Sequence, residues 1–144
     1  MQKTLSSISF YAISLLISLW YFLTDKLKRT ALTHAILNGN ANVASYLLYL
    51  GADPNRKDSS GNTLVHYAAA YGWFPCLKLL VKDAGAKYNL DNDWKTTPLA
   101  IAFLKGNVGI VDYLLGFPET DINFKDDKGK EMFWSFENAS SLFQ

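Results

Sequence analysis

Apolar positions in this chain recur at helical spacing, in short runs cut by glycine. The stretch 58–89 shows the pattern most clearly. Val65, Ala68 and Ala69 fall on one helical face. Gly72 stops that run, and Leu77, Leu79, Leu80 and Val81 supply a second apolar face before Gly85. Phe74-Pro75 opens the second helix, because proline is tolerated in a first turn. Thr63 stands where an N-cap oxygen accepts backbone N–H bonds. Asp58-Ser59-Ser60-Gly61 ahead of it is turn chemistry, with Gly61 free to take a positive φ. The predicted unit is therefore turn, short helix, tight turn, second helix, loop. The small alanines of the first helix let a neighbouring helix approach closely.

The same unit returns. Thr30-Ala31-Leu32, Thr63-Leu64-Val65 and Thr97-Pro98-Leu99 each open one copy, the threonines being 33 and then 34 residues apart. Gly39, Gly72 and Gly106 each follow nine residues after their threonine, and Asn55, Asn89 and Asn123 close the copies. A period in this range means stacked supersecondary units. Neither helix of a unit buries its stripe alone, so stacking must supply the missing surface. An array of this kind needs at least about three repeats, and three are present.

These residues resemble the ankyrin repeat. The family's glycine-x-threonine-proline-leucine-histidine-x-alanine-alanine pattern reads here Gly61-Asn62-Thr63-Leu64-Val65-His66-Tyr67-Ala68-Ala69. Its leucine-rich second helix and glycine-alanine-aspartate-x-asparagine ending read Tyr46-Leu47-Leu48-Tyr49-Leu50-Gly51-Ala52-Asp53-Pro54-Asn55. The resemblance covers about residues 25–130 and implies an all-α solenoid of helix-turn-helix repeats, at 25–57, 58–91 and 92–125, with the start of a fourth. Departures are clear as well. Proline survives only at Pro98 and histidine only at His66, with Thr33 and Ala100 in its place elsewhere. In the fourth unit Trp134 and Phe136 fall where a histidine and a packing alanine belong, and a phenylalanine in an alanine slot pushes helices apart. Residues 131–144 read as a divergent C-terminal tail.

Residues 1–24 differ in kind. Thr4 to Thr24 carry no charge, and Ile8 to Leu23 are almost wholly apolar. A bilayer core takes roughly 20 apolar residues as helix, so an N-terminal apolar helix anchored in a membrane through residues 4–24 is one expectation. Trp20 and Tyr21 then sit at the interface, and Lys26, Lys28 and Arg29 place the repeats in the cytoplasm. A cleaved signal peptide fits less well, because Phe22 and Thr24 make a poor small-x-small site. The third reading is a helix that covers the first repeat, for which Ser6, Ser7, Ser9, Ser14 and Ser18 offer a weakly polar outer face. The repeat pattern starts at Asp25 with no linker. That reads as an alternative N-terminus joined to an array that continues upstream in a longer form.

Composition narrows the function classes. A formal net charge of +1, without long single-sign blocks, sets up no field for nucleic acid. The lone Cys76 excludes an internal disulfide and a multi-cysteine metal site, and it reads as a small buried hydrophobe. His66 reads as a structural histidine bonded to nearby backbone, and His34 lies one position later on a more exposed side. Two histidines without a third ligand make no metal site. Asp91, Asp93, Asp126 and Asp127 lie in turn segments without the alternating ligands of a calcium loop. No phosphate-binding glycine loop or nucleophile elbow is present. Asn138-Ala139-Ser140 matches a glycosylation acceptor.

What remains is surface. In an ankyrin-like stack the turn tips and first helices line a concave face. By register its outward positions include His34, Leu37, Asn38, Tyr67, Ala70, Tyr71, Ile101, Leu104 and Lys105, with Arg56, Lys57, Asn92, Trp94 and Lys125 at the tips. Aromatic and arginine anchors are the usual energetic centres of protein interfaces. The expected partner-binding residues are Tyr67, Tyr71, Trp94, Arg56, Leu37 and Leu104. The expected function is a non-catalytic, intracellular protein–protein interaction module that needs no cofactor, no metal, no nucleic acid and no small-molecule substrate. The alternative is a truncated or splice-form fragment of a larger ankyrin-containing enzyme, such as a tankyrase-like ADP-ribosyltransferase, without its catalytic part.

Overall fold

The computed structural model describes residues 23–26 and 29–122, together with residue 12 and the backbone of 124–125 and 131–132. Three helix pairs follow one another. They are α1 (Ala31–Leu37) with α2 (Ala41–Tyr49), α3 (Leu64–Tyr71) with α4 (Phe74–Lys78), and α5 (Pro98–Leu104) with α6 (Val108–Leu115). The expected all-α helix-pair solenoid is what the described residues form. The one addition is a pair of two-residue strands, β1 (Phe124–Lys125) and β2 (Glu131–Met132), paired antiparallel. No described helix is long and apolar enough to cross a membrane. The expected apolar helix at 4–24 and most of the 131–144 tail lie outside the described residues.

Local chemistry sets the helix ends. Thr30, Thr63 and Thr97 cap the three first helices, each hydroxyl accepting from the backbone N–H three residues on. Gly72 ends α3 in the left-handed region at φ 76°, with Gly39 and Gly106 at 68° and 72° in the same place. The longer second repeat has a physical answer too. Its additional residue falls between Gly72 and Gly85, where α4 runs into a π-turn over Leu79–Asp83 that lets the chain absorb one residue without losing register.

The first helices α1, α3 and α5 lie side by side, with Ala35, Ala68 and Ala102 buried where they meet. The second helices form a parallel row behind them. One seam runs the length of the stack, built from Leu32, Ile36, Val65, Leu77, Leu80, Leu99, Ile110 and Leu114. Rings close the outer side. Phe74 meets Tyr113 edge-on at 5.3 Å, Tyr113 meets Phe117 at 5.2 Å, and Tyr88 stacks on Phe117 at 4.6 Å.

Candidate functional site

The turns that precede the first helices share one construction. Asp25, Asp58 and Asn92 each bond with the residue four positions later, which donates its N–H to the leading side-chain oxygen. Consecutive turns then stack. Asp93 N–H donates to Ser60 C=O at 3.0 Å, Asn92 Nδ2 donates to Asn62 Oδ1 at 2.9 Å, and Lys57 Nζ donates to Asp91 C=O at 3.0 Å. Gly61 is required here, because a Cβ at that position would meet Asp93 Oδ1 at 2.5 Å. Asn92, expected at an outward tip, is instead only 6% exposed, because its side chain builds the turn. Sequence register gave it a surface position; its Asx role buried it.

His66 links two repeats. Its Nδ1 accepts from Thr63 N–H at 3.0 Å, and its Nε2 lies 2.9 Å from Thr96 C=O in the next repeat. That pattern places the proton on Nε2 and keeps the ring neutral. Burial lowers its pKa from the ordinary value, partly offset by the bond to Thr96. The ring is thus a structural brace, as its position suggested. Cys76 is buried and its thiol pKa is raised by desolvation, in keeping with a small core residue.

The expected binding residues take different places. Tyr71, in the last turn of α3, is 58% exposed, and Leu104, in the last turn of the adjoining α5, is 62% exposed. Trp94 is 53% exposed at the turn apex. Beside it Lys95 holds φ 60°, the left-handed position that Gly61 fills in the preceding turn. Arg56 and Leu37 are half-buried. Tyr67 is half-buried as well, with its hydroxyl donating to Asp58. Burial first, and then that carboxylate, push its pKa up to about 12. Tyr67 is thereby committed to the turn it braces. Next to it, Asp25 pairs with Arg29 at 2.7 Å and with the exposed His34 at 3.2 Å.

Two structural residues are not legible from the motif. Trp73 stands at the start of the second helix of its repeat, and its Nε1–H reaches back to Leu37 C=O at 3.2 Å. Asn107, at the same place one repeat on, does the same with Ala69 C=O at 2.6 Å. Both cap the preceding repeat's first helix. A polar or N–H-bearing residue just after each helix-ending glycine is the signal that would have found them. Among the described residues no group of three or more histidine, cysteine or acidic side chains is placed to hold a metal ion.

A stack of helix pairs that braces itself through its turns defines a repeat-type scaffold. A family model described as "Ankyrin repeats (3 copies)" matches residues 50–126, and one described as "Ankyrin repeats (many copies)" matches 22–68. The chain belongs to the ankyrin repeat family. It is 52% identical over 75 residues to the poly(ADP-ribose) polymerase tankyrase of Caenorhabditis elegans, a match that covers 50% of this chain and 3% of that protein. It is 34% identical over 84 residues to the human SH3 and multiple ankyrin repeat domains protein 2, covering 58% of this chain and 4% of that one. Protein fem-1 homolog A-like of Mus musculus is 36% identical over 86 residues, covering 60% of this chain and 13% of its own. The chain thus spans a small fraction of the length of these three relatives.

Proposed function

We propose that the chain is a non-catalytic protein-interaction module that receives another protein on the face made by its turn tips and first helices. Tyr71, Trp94 and Leu104 are the anchors, and Arg56, Leu37 and Tyr67 frame them. The units are 25–57, 58–91 and 92–125, followed by the start of a fourth and a divergent tail from 131, and the module acts inside the cell. The observation that supports this reading most is the exposure of Tyr71, Trp94 and Leu104 on a scaffold whose other large apolar first-helix side chains are buried or half-buried. Exposed large apolar residues on a braced frame are typical of an interface. The strained Lys95 beside Trp94 adds weight, since left-handed non-glycine residues cluster at functional sites. A pre-ordered frame also lowers the entropic cost of association.

The test is affinity capture from extract with the parent chain, Tyr71→Ala, Trp94→Ala and the outer-helix control Tyr46→Ala. Specific captured proteins should be lost with the first two and kept with the control, at unchanged helical content. An identical captured set from all four chains overturns the reading.

The tankyrase likeness favours a second reading, in which these repeats form the targeting arm of a larger enzyme. A longer transcript that shares residues 28–130 and adds a catalytic segment supports it. A membrane tether through residues 4–24 is a role open to the apolar segment.

A further inference from the structure

The second helices leave two equivalent grooves between repeats, and one of them is filled from within. Between the second and third repeats an aromatic set occupies it: Tyr88 stacks on Phe117 at 4.6 Å, and Tyr113 meets the same ring at 5.2 Å. Counted from the helix starts, the counterparts of Tyr113 and Phe117 one repeat earlier are Leu79 and Asp83. The counterpart of Tyr88 is Pro54, since the two follow Gly85 and Gly51 at the same spacing. No aromatic ring stands at these three places. A cleft of about 310 Å³ opens there instead, with Leu48, Tyr49, Ala52 and Pro54 on one side and Leu79 and Asp83 on the other. Its size is at the lower end of ligand pockets, about 300–1,000 Å³, and suits a single aromatic side chain.

We propose that this cleft receives an aromatic side chain of a partner protein that is followed by a lysine or arginine. The ring takes the place that Tyr88 and Phe117 fill one repeat on. Leu48, Ala52 and Leu79 are half-buried and packed on the core, so they give it an apolar seat. The cation has its own partner. Asp83 is exposed and pairs with no cation among the described residues. It is the one charged residue among those that line the cleft, so the local field favours a positive group. Tyr49, 85% exposed, offers that group a ring face as well. Tyr46 takes no part: its counterpart Leu79 faces the preceding repeat, so Tyr46 stands on the other flank of α2. The cleft is a contact separate from the turn tips and first helices, and it does not rest on that face being an interface.

The test titrates the full isotope-labelled chain with the end-blocked peptide glycine-tryptophan-lysine-glycine and follows backbone amide shifts by NMR. A titration to about 5 mM detects a Kd near about 1 mM. Saturating shifts are expected at the amides of Ala52, Asp83 and Ala84. Exchanging the peptide's tryptophan for leucine, or its lysine for glutamate, should weaken binding by about fivefold. Asp83→Lys, at an exposed site, should reverse the charge preference, so that the glutamate peptide binds better than the lysine peptide. Pro54→Tyr with Asp83→Phe rebuilds the neighbouring aromatic pair inside the cleft and should abolish the shifts at unchanged helicity. Asp83→Lys decides the matter if that filled variant folds poorly. Tyr71→Ala should leave the titration as it is. The proposal is overturned if those amides do not shift, if the leucine peptide binds equally well, or if the charge preference survives Asp83→Lys. Shifts that persist in the folded, filled variant overturn it too. Loss of binding with Tyr71→Ala would assign the peptide to the first-helix face. Shifts of the same amides on concentrating the chain without peptide would assign the cleft to a second copy. Either result contradicts the proposal.

Discussion

Replacing His66 by alanine isolates the bond network that joins the second and third repeats. The ring is 1% exposed. Its loss leaves the buried Thr63 N–H without the acceptor at 3.0 Å and removes the 2.9 Å bond to Thr96 across the repeat boundary. An orphaned buried donor costs about 1–3 kcal/mol, and an ordinary bond about 0.5–1.5 kcal/mol. The sum is about 3 kcal/mol, a large part of the 5–15 kcal/mol of a typical domain. With a urea slope of about 2 kcal/mol/M the midpoint should fall by about 1.5 M. Thr33→Ala is the control, because Thr33 bonds only within its own repeat, to Thr30 N–H at 3.2 Å, and should cost about 1 kcal/mol. The assay is urea unfolding followed by far-UV circular dichroism. Equal losses for the two variants would refute the idea that His66 braces neighbouring repeats. The pH dependence has a defined sign. Burial holds the folded pKa of His66 below the ordinary 6.5, so the fold favours the neutral ring. Its contribution is complete above that range and is lost as pH falls from there towards the folded value. His66→Gln should flatten that part of the pH–stability curve.

Other substitutions probe separate devices. Gly39→Ala forces a side chain into φ 68° and brings Cβ within 2.7 Å of the Trp73 ring; it should cost about 2–3 kcal/mol by thermal unfolding. Lys95→Gly relieves the left-handed strain at the turn apex and should raise stability by about 0.5–1 kcal/mol, visible as a higher urea midpoint. Cys76, buried with a raised thiol pKa, should resist iodoacetamide in the native state and react once urea unfolds the chain. Tyr67→Phe removes the bond to Asp58 and should cost about 1 kcal/mol without shifting the helical signal.

Much of the scaffold was legible because it rests on local rules. Threonine caps, left-handed glycines and small residues at helix contacts act within a few positions of themselves, so the period displayed them. His66 is legible too, because its motif position fixes its place, although one of its bonds crosses to Thr96 in the next repeat. The residues that escaped act across repeats. Asn92 looks like a surface residue in one dimension, and only the stacking of its turn on Ser60 and Asn62 buries it. Trp73 looks like an exposed aromatic at a helix start, and only the neighbouring helix shows it capping Leu37. Tyr67 differs, since its hidden bond is local: its hydroxyl donates to Asp58 of its own turn. Among the candidate residues Tyr71, Trp94 and Leu104 are exposed, whereas Tyr67 serves its own turn.

The most direct measurement of the interaction reading is photo-crosslinking from single positions. A benzophenone side chain is placed at position 94, 71 or 46, and each chain is irradiated in extract. The account predicts adducts to one common partner from positions 94 and 71 and none from 46. Adducts from position 46 alone, or from none of the three, would contradict it.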